Sequence, residues 1–481
     1  MKNNFCLGLL LVFVFAAVPV FSEPTNYTYN YDFWEEQVAS PDAYRVSDYI
    51  LGTSLGVGNF REPQGLFIRE NRIYICDSGN NRILMLEVNE KGEHVVVNSV
   101  SSVMIDGVES PFNYPMDIFE DREGFLYIAD TNNLRILKLD SDWNYVYSIT
   151  RPDDESIDDF IIFQPLKLVV DFANRIFVQV RNVNKGLMEF DNRGEFAGYM
   201  GANRVQFKIV DYIWKLISTQ AQRERLELFI PTEYNNVALD SDGFIYVTNS
   251  TGEVDPVRRL NAMGQDILIR NGYEKPIGDI AFGSAGGVSG RSRFIDVVAF
   301  DNDSFACFDR TRGRIFMYDF QGNLLYAFGG LGNREGAFMM PVAIDRMGYV
   351  LYALDSRASA LTRFELTSYG VKINDALSEY RAGRYEASAK IWEEVLKMNG
   401  NYDLAYIGIG RAALRQGDYQ TAMRYYQLKH FRIGYGKAFQ LYRKQWMEEN
   451  LWKILLILGI LIAVPFVVKY SIKVVKEIRE A

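Results

Sequence analysis

Short apolar runs alternate with polar turns along most of the chain, and the alternation repeats at roughly fifty residues, within the range of propeller repeats. Three units begin at Pro63, Pro115 and Pro165 and read PQGLFIRENRIYICDSGNNRILML, PMDIFEDREGFLYIADTNNLRILKL and PLKLVVDFANRIFVQVRNVNKGLMEF. Weaker copies start at Asn235, Asp296 and Pro341. In the second unit Ile118 and Phe119 precede the turn Asp121-Arg122-Glu123-Gly124, Phe125 to Ile128 follow it, and Ile136 to Leu139 form a third run. Apolar runs of this length split by turn residues predict strands joined as hairpins. Glu195 to Tyr199 adds a fourth strand to the third unit. No such unit buries its apolar face alone, so neighbours must stack. The sixth unit stops near Leu366 after three strands, and Tyr49-Ile50-Leu51-Gly52 is predicted to supply the fourth. That closes a six-bladed ring and leaves few free edges.

After Leu366 the period changes to that of helices. Gly383 and Gly417, Tyr385 and Tyr419, Ser388 and Ala422, and Trp392 and Tyr426 are each thirty-four residues apart. Small residues let paired helices approach, and the aromatics fill the groove between them. This spacing resembles two TPR units. A further helix carrying Phe439, Tyr442 and Trp446 on one face is expected to cap the stack. Ile454 to Val468 is continuously apolar, and residues 451–470 reach the length a bilayer requires. Lys469, Lys473, Lys476 and Arg479 favour a cytoplasmic tail at 471–481. At the other end Phe5 to Val18 reads as the apolar core of a signal peptide spanning 1–22. An N-terminal extension, 23–47, then leads to the repeats at 48–366, and the helical repeats occupy 370–450.

A polar motif follows the second strand of the units: Asp77, Asn80 and Arg82 in the first, Asp130, Asn132 and Arg135 in the second. Asp309 and Arg314 remain in the fifth and Asp355 alone in the sixth, while the third has Lys185 without the acid. With the strand pattern, this resembles the NHL repeat, a propeller blade, over about Asp48 to Leu366. Together with the TPR-like spacing and the apolar segment, the resemblance gives the expected fold, mainly β: a six-bladed NHL-like β-propeller plus a small α-helical TPR-like domain and one transmembrane helix. Recurrence of the Asp-Asn-Arg turn in blade after blade favours a structural role, in which Asp accepts turn amides and pairs with Arg.

Composition narrows the function. The chain has 481 residues and a formal net charge of −9, an acidic balance that argues against nucleic-acid binding. Beyond the leader only Cys76 and Cys307 remain; they fall in blades that are not neighbours and are expected to be buried free thiols. With two histidines, no multi-imidazole zinc site or Ser-His-Asp triad can be placed. Gln64, Asp117, Asn236 and Asp296, near the starts of inner strands, are candidates to face the channel. They leave open a divalent cation held by carboxylate and amide oxygens, as in propeller lactonases or another hydrolase, although no cofactor is predicted. Two departures from the repeat stand out: a helical insertion at 203–229 bearing Ile213 and Trp214, and a glycine-rich stretch from Gly278 to Gly290 ending at Arg291 and Arg293. Strand order puts both at one mouth of the channel. The expectation is a membrane-tethered binding or scaffold protein, more a binder than an enzyme. Its mouth would take a glycan, peptide or protein, and its helical pair a protein at the membrane.

Overall fold

The computed structural model describes residues 28–202, 233–249, 255–271, 275–279 and 290–480. Residues 1–22, assigned above to a signal peptide, and the helical insertion at 203–229 lie outside them. Six sheets stand around one axis. Their innermost strands are Gly65–Arg69, Pro115–Glu120, Pro165–Val170, Tyr234–Leu239, Phe294–Ala299 and Pro341–Met347, and each meets the next in a closed cycle. These define blades 1 to 6. Blades 1, 2, 3 and 5 supply four strands each from consecutive sequence, and blade 4 has three among the described residues.

The middle strands are apolar on both faces because a blade on either side covers them. Leu126–Asp130, Ile176–Val180 and Phe305–Asp309 are buried at every position. Outer strands alternate instead, as in His94–Val100 and Tyr145–Ile149. The ring closes as the sequence predicts, by a longer strand than expected. Tyr44–Leu51 pairs antiparallel with Ala360–Leu366, from Leu51 opposite Ala360 to Tyr44 opposite Leu366. Blade 5 is extended as well. A hairpin, Tyr29–Tyr31 with Gln37–Ala39, adds to its outer strand at Ala327. Tyr29 and Tyr31 there donate to the buried carboxylate of Asp279, which Arg312 and Arg314 also approach.

The two faces of the ring differ. At the lower face, where inner strands end, Asx turns recur: Asp121 Oδ1 accepts the amides of Glu123 and Phe125, and Asp171, Asp191, Asp240, Asn261 and Asp319 do the same two and four residues on. At the upper face, where inner strands begin, connections are longer and unlike one another. One carries an extra hairpin, Ser102–Ile105 with Val108–Pro111; another, 150–164, has no regular structure.

Five helices follow the ring: α1 (Ser368–Arg381), α2 (Tyr385–Met398), α3 (Asp403–Gln416), α4 (Tyr419–Leu428) and α5 (Arg432–Glu480). Thr367 caps α1 through its side-chain oxygen and ties it to Asp42 and Ala43. Gly383 and Gly417 take positive φ after α1 and α3, where a side chain would be strained. Trp392 lies over Gly408, whose missing Cβ would fall 2.4 Å from the indole nitrogen. Tyr426 lies over Gly410 in the same way. The repeated small–aromatic pairs are therefore seats for helix packing. The helices grip the lower face of blades 5 and 6: Ile373, Leu377, Trp392, Tyr402 and Ile409 share one core with Phe300, Leu325 and Phe364. Tyr402 donates to the carbonyl of Leu325 at 2.9 Å, Arg411 reaches Asp319, and Arg381 pairs with Asp303.

α5 runs unbroken from the helical module into the apolar segment and is long and apolar enough to cross a membrane. The capping expectation needs correction. The face of α5 against α4 is made by the small residues Gly434 and Ala438, both buried, with Tyr442 half-buried beside them and accepting from Gln420 of α4, while Phe439 and Trp446 are exposed. Small side chains allow the close approach that bulky rings would prevent.

Candidate functional site

The channel is lined where the inner strands turn a polar side chain to the axis. Asp117, Lys167, Asn236 and Asp296 occupy equivalent places in blades 2 to 5, and Asp345 of blade 6 stands two residues deeper. Blade 1 has Gly65 at this register, where a Cβ would strike the carbonyl of Met116 at 2.6 Å. With apolar neighbours such as Leu66, Val237 and Ile344 these residues enclose about 530 Å³ of empty space, open mouth included.

The carboxylates are engaged by the ring itself. Asp117 accepts the amide of Leu168 at 2.9 Å, Asp296 that of Ile344 at 2.7 Å, and Asp345 that of Ile68 at 2.6 Å. Each thus ties its own blade to the next, and the last bridges the seam between blades 6 and 1. Lys167 donates to Asp117 at 3.2 Å, and the Asn236 amide donates to Asp296. Burial pushes Asp296 up to about 7, with the nearby Lys167 charge opposing the shift. Burial raises Asp345 to about 7 as well, although part of its surface stays open to the lumen. Burial works against the charge of Lys167, yet Asp117 and Asp296 outweigh it and raise the ammonium. Among the described residues no three His, Cys, Asp or Glu side chains gather as a metal would need. The arrangement is a polar axle that holds blades together. Cys76 and Cys307 are free and buried behind it, their thiols pushed well above the usual range by burial.

The Asp-Asn-Arg turns lie at the upper face and act on the backbone. Asp77 accepts the amide of Arg61 at 2.7 Å on one oxygen and the side chains of Asn80 and Arg82 on the other. Asp130 repeats this with Asn113, Asn133 and Arg135. The asparagine of the second motif is therefore Asn133, not Asn132; the matching residue is three after the aspartate in both blades. In blade 5 Asp309 accepts the amides of Arg293, Thr311 and Arg312, and Arg314 turns instead toward Asp279.

The structure separates the sequence-derived candidates into two places. Asp117, Asn236 and Asp296 meet in the channel, joined by Lys167 and Asp345, which the sequence reading passed over as strand residues. Aligning the third position of every inner strand would have found Lys167. Gln64 is not in the channel; it sits at the rim and donates to Ser356 Oγ at 3.1 Å. Arg291 and Arg293 are exposed at the same face, with Thr311 Oγ1 donating to the Arg291 carbonyl. Trp214 lies outside the described residues. The upper connections also present apolar side chains that the sequence reading missed. In the connection 150–164, Ile161 and Phe163 are buried while Phe160 and Ile162 are 78% and 61% exposed. Val108 and Met104 on the extra hairpin are exposed beside blades 1 and 2. The unbroken apolar run Phe160-Ile161-Ile162-Phe163, too long for one buried face of an irregular connection, was a legible signal for this.

No family model matches the chain, and no curated protein does. Among solved structures it is similar to virginiamycin B lyase from Staphylococcus aureus, at 10% identity and a TM-score of 0.40, covering 67% of this chain and 100% of that one. A streptogramin B lyase gives 12% identity and a TM-score of 0.41, over 68% and 100% of the two chains. A protein of unknown function from Bacteroides thetaiotaomicron gives 11% and 0.43, over 69% and 80%. No chemistry transfers at this level of likeness; what the chain displays is a six-bladed propeller followed by a helical module and one helix of membrane-spanning length.

Proposed function

We propose that the chain is a membrane-anchored binding module, whose propeller takes a protein partner at its upper face. The observation that supports this most is the asymmetry of the ring. Lower-face turns recur in one compact form and the helical module packs there, whereas long, dissimilar connections with exposed apolar side chains gather at the upper face. Long connections on a rigid scaffold are where binding residues concentrate. Exposed aliphatic and aromatic groups such as Phe160, Ile162 and Val108 suit a protein surface better than a glycan. On this reading the blades are NHL-like and the helix pairs TPR-like, a signal peptide exports the ring, and α5 crosses the membrane with its basic tail in the cytoplasm. The TPR-like pair offers a second protein-docking surface near the membrane.

The test is capture from intact membranes with photo-activated cross-linkers placed at upper-face positions. Phe160→Glu with Ile162→Glu, and separately Arg291→Glu with Arg293→Glu, should each remove the captured protein while the melting temperature stays nearly unchanged, as surface changes usually leave it. Undiminished capture by both variants would overturn the upper-face assignment.

A further inference from the structure

The stalk of α5 carries an apolar row that the described fold touches only at Tyr442, whose half-buried hydroxyl accepts from Gln420 Nε2 of α4 at 3.2 Å. Tyr435, Phe439, Tyr442 and Trp446 follow one another at spacings of four, three and four, the a/d pattern of a coiled coil. Phe439 and Trp446 are each 46% exposed, and Tyr435 stacks along the row on Phe439. The row lies roughly a quarter turn from Gly434 and Ala438, the positions packed toward α4, so a second helix has room beside it. Continued at the same period into the apolar segment, it passes through Leu456, Ile460, Ala463 and Val467, all of them exposed. Pro465, which disrupts helix packing at an inward position, falls at the outermost heptad place. Only Glu449 and Lys453 interrupt the seam.

We infer that this seam pairs with a second copy of the chain, giving a parallel dimer zipped from the stalk through the apolar segment. The inference rests on the reading that α5 crosses a membrane. That reading gives both copies the same orientation and depth, so every seam position meets its own equivalent. The spacing of 3.5 residues per turn, held across stalk and span, is what a left-handed supercoil of like helices needs. The polar interruption fits the same occupant. A lysine at a single inward position fixes register at some cost in stability, and Glu449 lies one layer above, within reach of Lys453 of the second copy.

Single cysteines at Phe439 and Trp446, on the seam, and at Lys437 and Lys444, on the far side of the helix, test this in native membranes. Cys76 and Cys307 are buried and stay silent; Cys6 is replaced by serine. Mild oxidation should convert roughly tenfold more of the seam variants than of the far-side variants into a disulfide-linked dimer, since tethering raises effective concentration. Equal cross-linking on both faces, none on either, or linkage only to a different protein overturns the pairing. Carbonate extraction of the same membranes reads the anchor independently. A chain that resists extraction but does not cross-link at the seam refutes the dimer alone, whereas a chain released by carbonate refutes the anchor and the pairing with it.

Discussion

Asp296 is a carboxylate whose acidity the ring has reset. Burial pushes it up to about 7, above its unfolded value of about 3.9, so the folded chain holds a proton that the unfolded chain has lost between those limits. The sign follows: its contribution is full at acid pH and is lost as pH rises through 7. Urea unfolding of the detergent-solubilised chain should therefore show Asp296→Asn flattening the fall in stability between pH 4.5 and 7, by up to about 1.4 kcal/mol per pH unit. An unchanged slope would show that the channel is wetter than its geometry implies. Asp130 acts instead as an ion-paired acceptor, taking the Asn113 amide on one oxygen and the Asn133 and Arg135 side chains on the other. Asp130→Ala strands Arg135 and the Asn113 amide and should cost about 3 kcal/mol in the same measurement. The motif behind this role was legible in the sequence because it recurs. Its second asparagine was misassigned because Asn132 and Asn133 are adjacent and only the turn geometry separates them. The position of Lys167 could be found by aligning the inner strands, but its purpose could not: a cation within an apolar strand shows its role only when another blade sets Asp117 opposite.

At the scale of elements, the thirty-four-residue spacing singled out Trp392 and Tyr426 as ring positions but not the residues beneath them. Those are Gly408 and Gly410, each a seat for one aromatic ring. Gly408→Ala should drive the Trp392 indole out of place and destabilise the chain by about 1–3 kcal/mol. Combining it with Trp392→Leu should recover part of the loss, because residues in direct contact couple non-additively. Strict additivity in thermal melts would mean the two do not meet. The capping face of α5 was read wrongly at Phe439 and Trp446, and only Tyr442 of the three meets α4. Periodicity marks an apolar stripe but not what lies against it, and the small Gly434 and Ala438 give no such signal beside three large aromatics. The apolar run from Phe160 to Phe163 was equally available and went unused, because a connection between blades offers no repeat against which to judge it.

For the whole molecule, ring closure by an N-terminal strand followed from counting strands per blade, and it makes a direct prediction. A chain truncated to begin at Phe60 loses Tyr44–Leu51, exposing the backbone edge and apolar face of Ala360–Leu366. It should aggregate or melt well below a chain that begins at Glu23; equal melting temperatures would refute closure by this strand. The extension of blade 5 by Tyr29–Tyr31 was not legible. A three-residue strand has no periodicity to read, and its site is set by Asp279, Arg312 and Arg314, far away in sequence. Docking of the helices on the lower face was foreseeable only as a need for cover, because two helix pairs alone bury too little.

The closing strand also dictates when the molecule can become itself. Tyr44 emerges early in synthesis, yet its partner Leu366 is made only after every other blade, and Thr367 then ties the helical module back to Asp42 and Ala43. Until that moment this early strand has nowhere to go and the nascent propeller is an open arc with two raw edges. Such late, distant pairing makes folding slow and leaves the arc prone to association with others of its kind. Assembly from two separately made pieces would be a stringent check of this timing. Residues 23–59 supplied as a peptide should rescue the chain that begins at Phe60, because the last step of the native pathway is already an encounter between two ends.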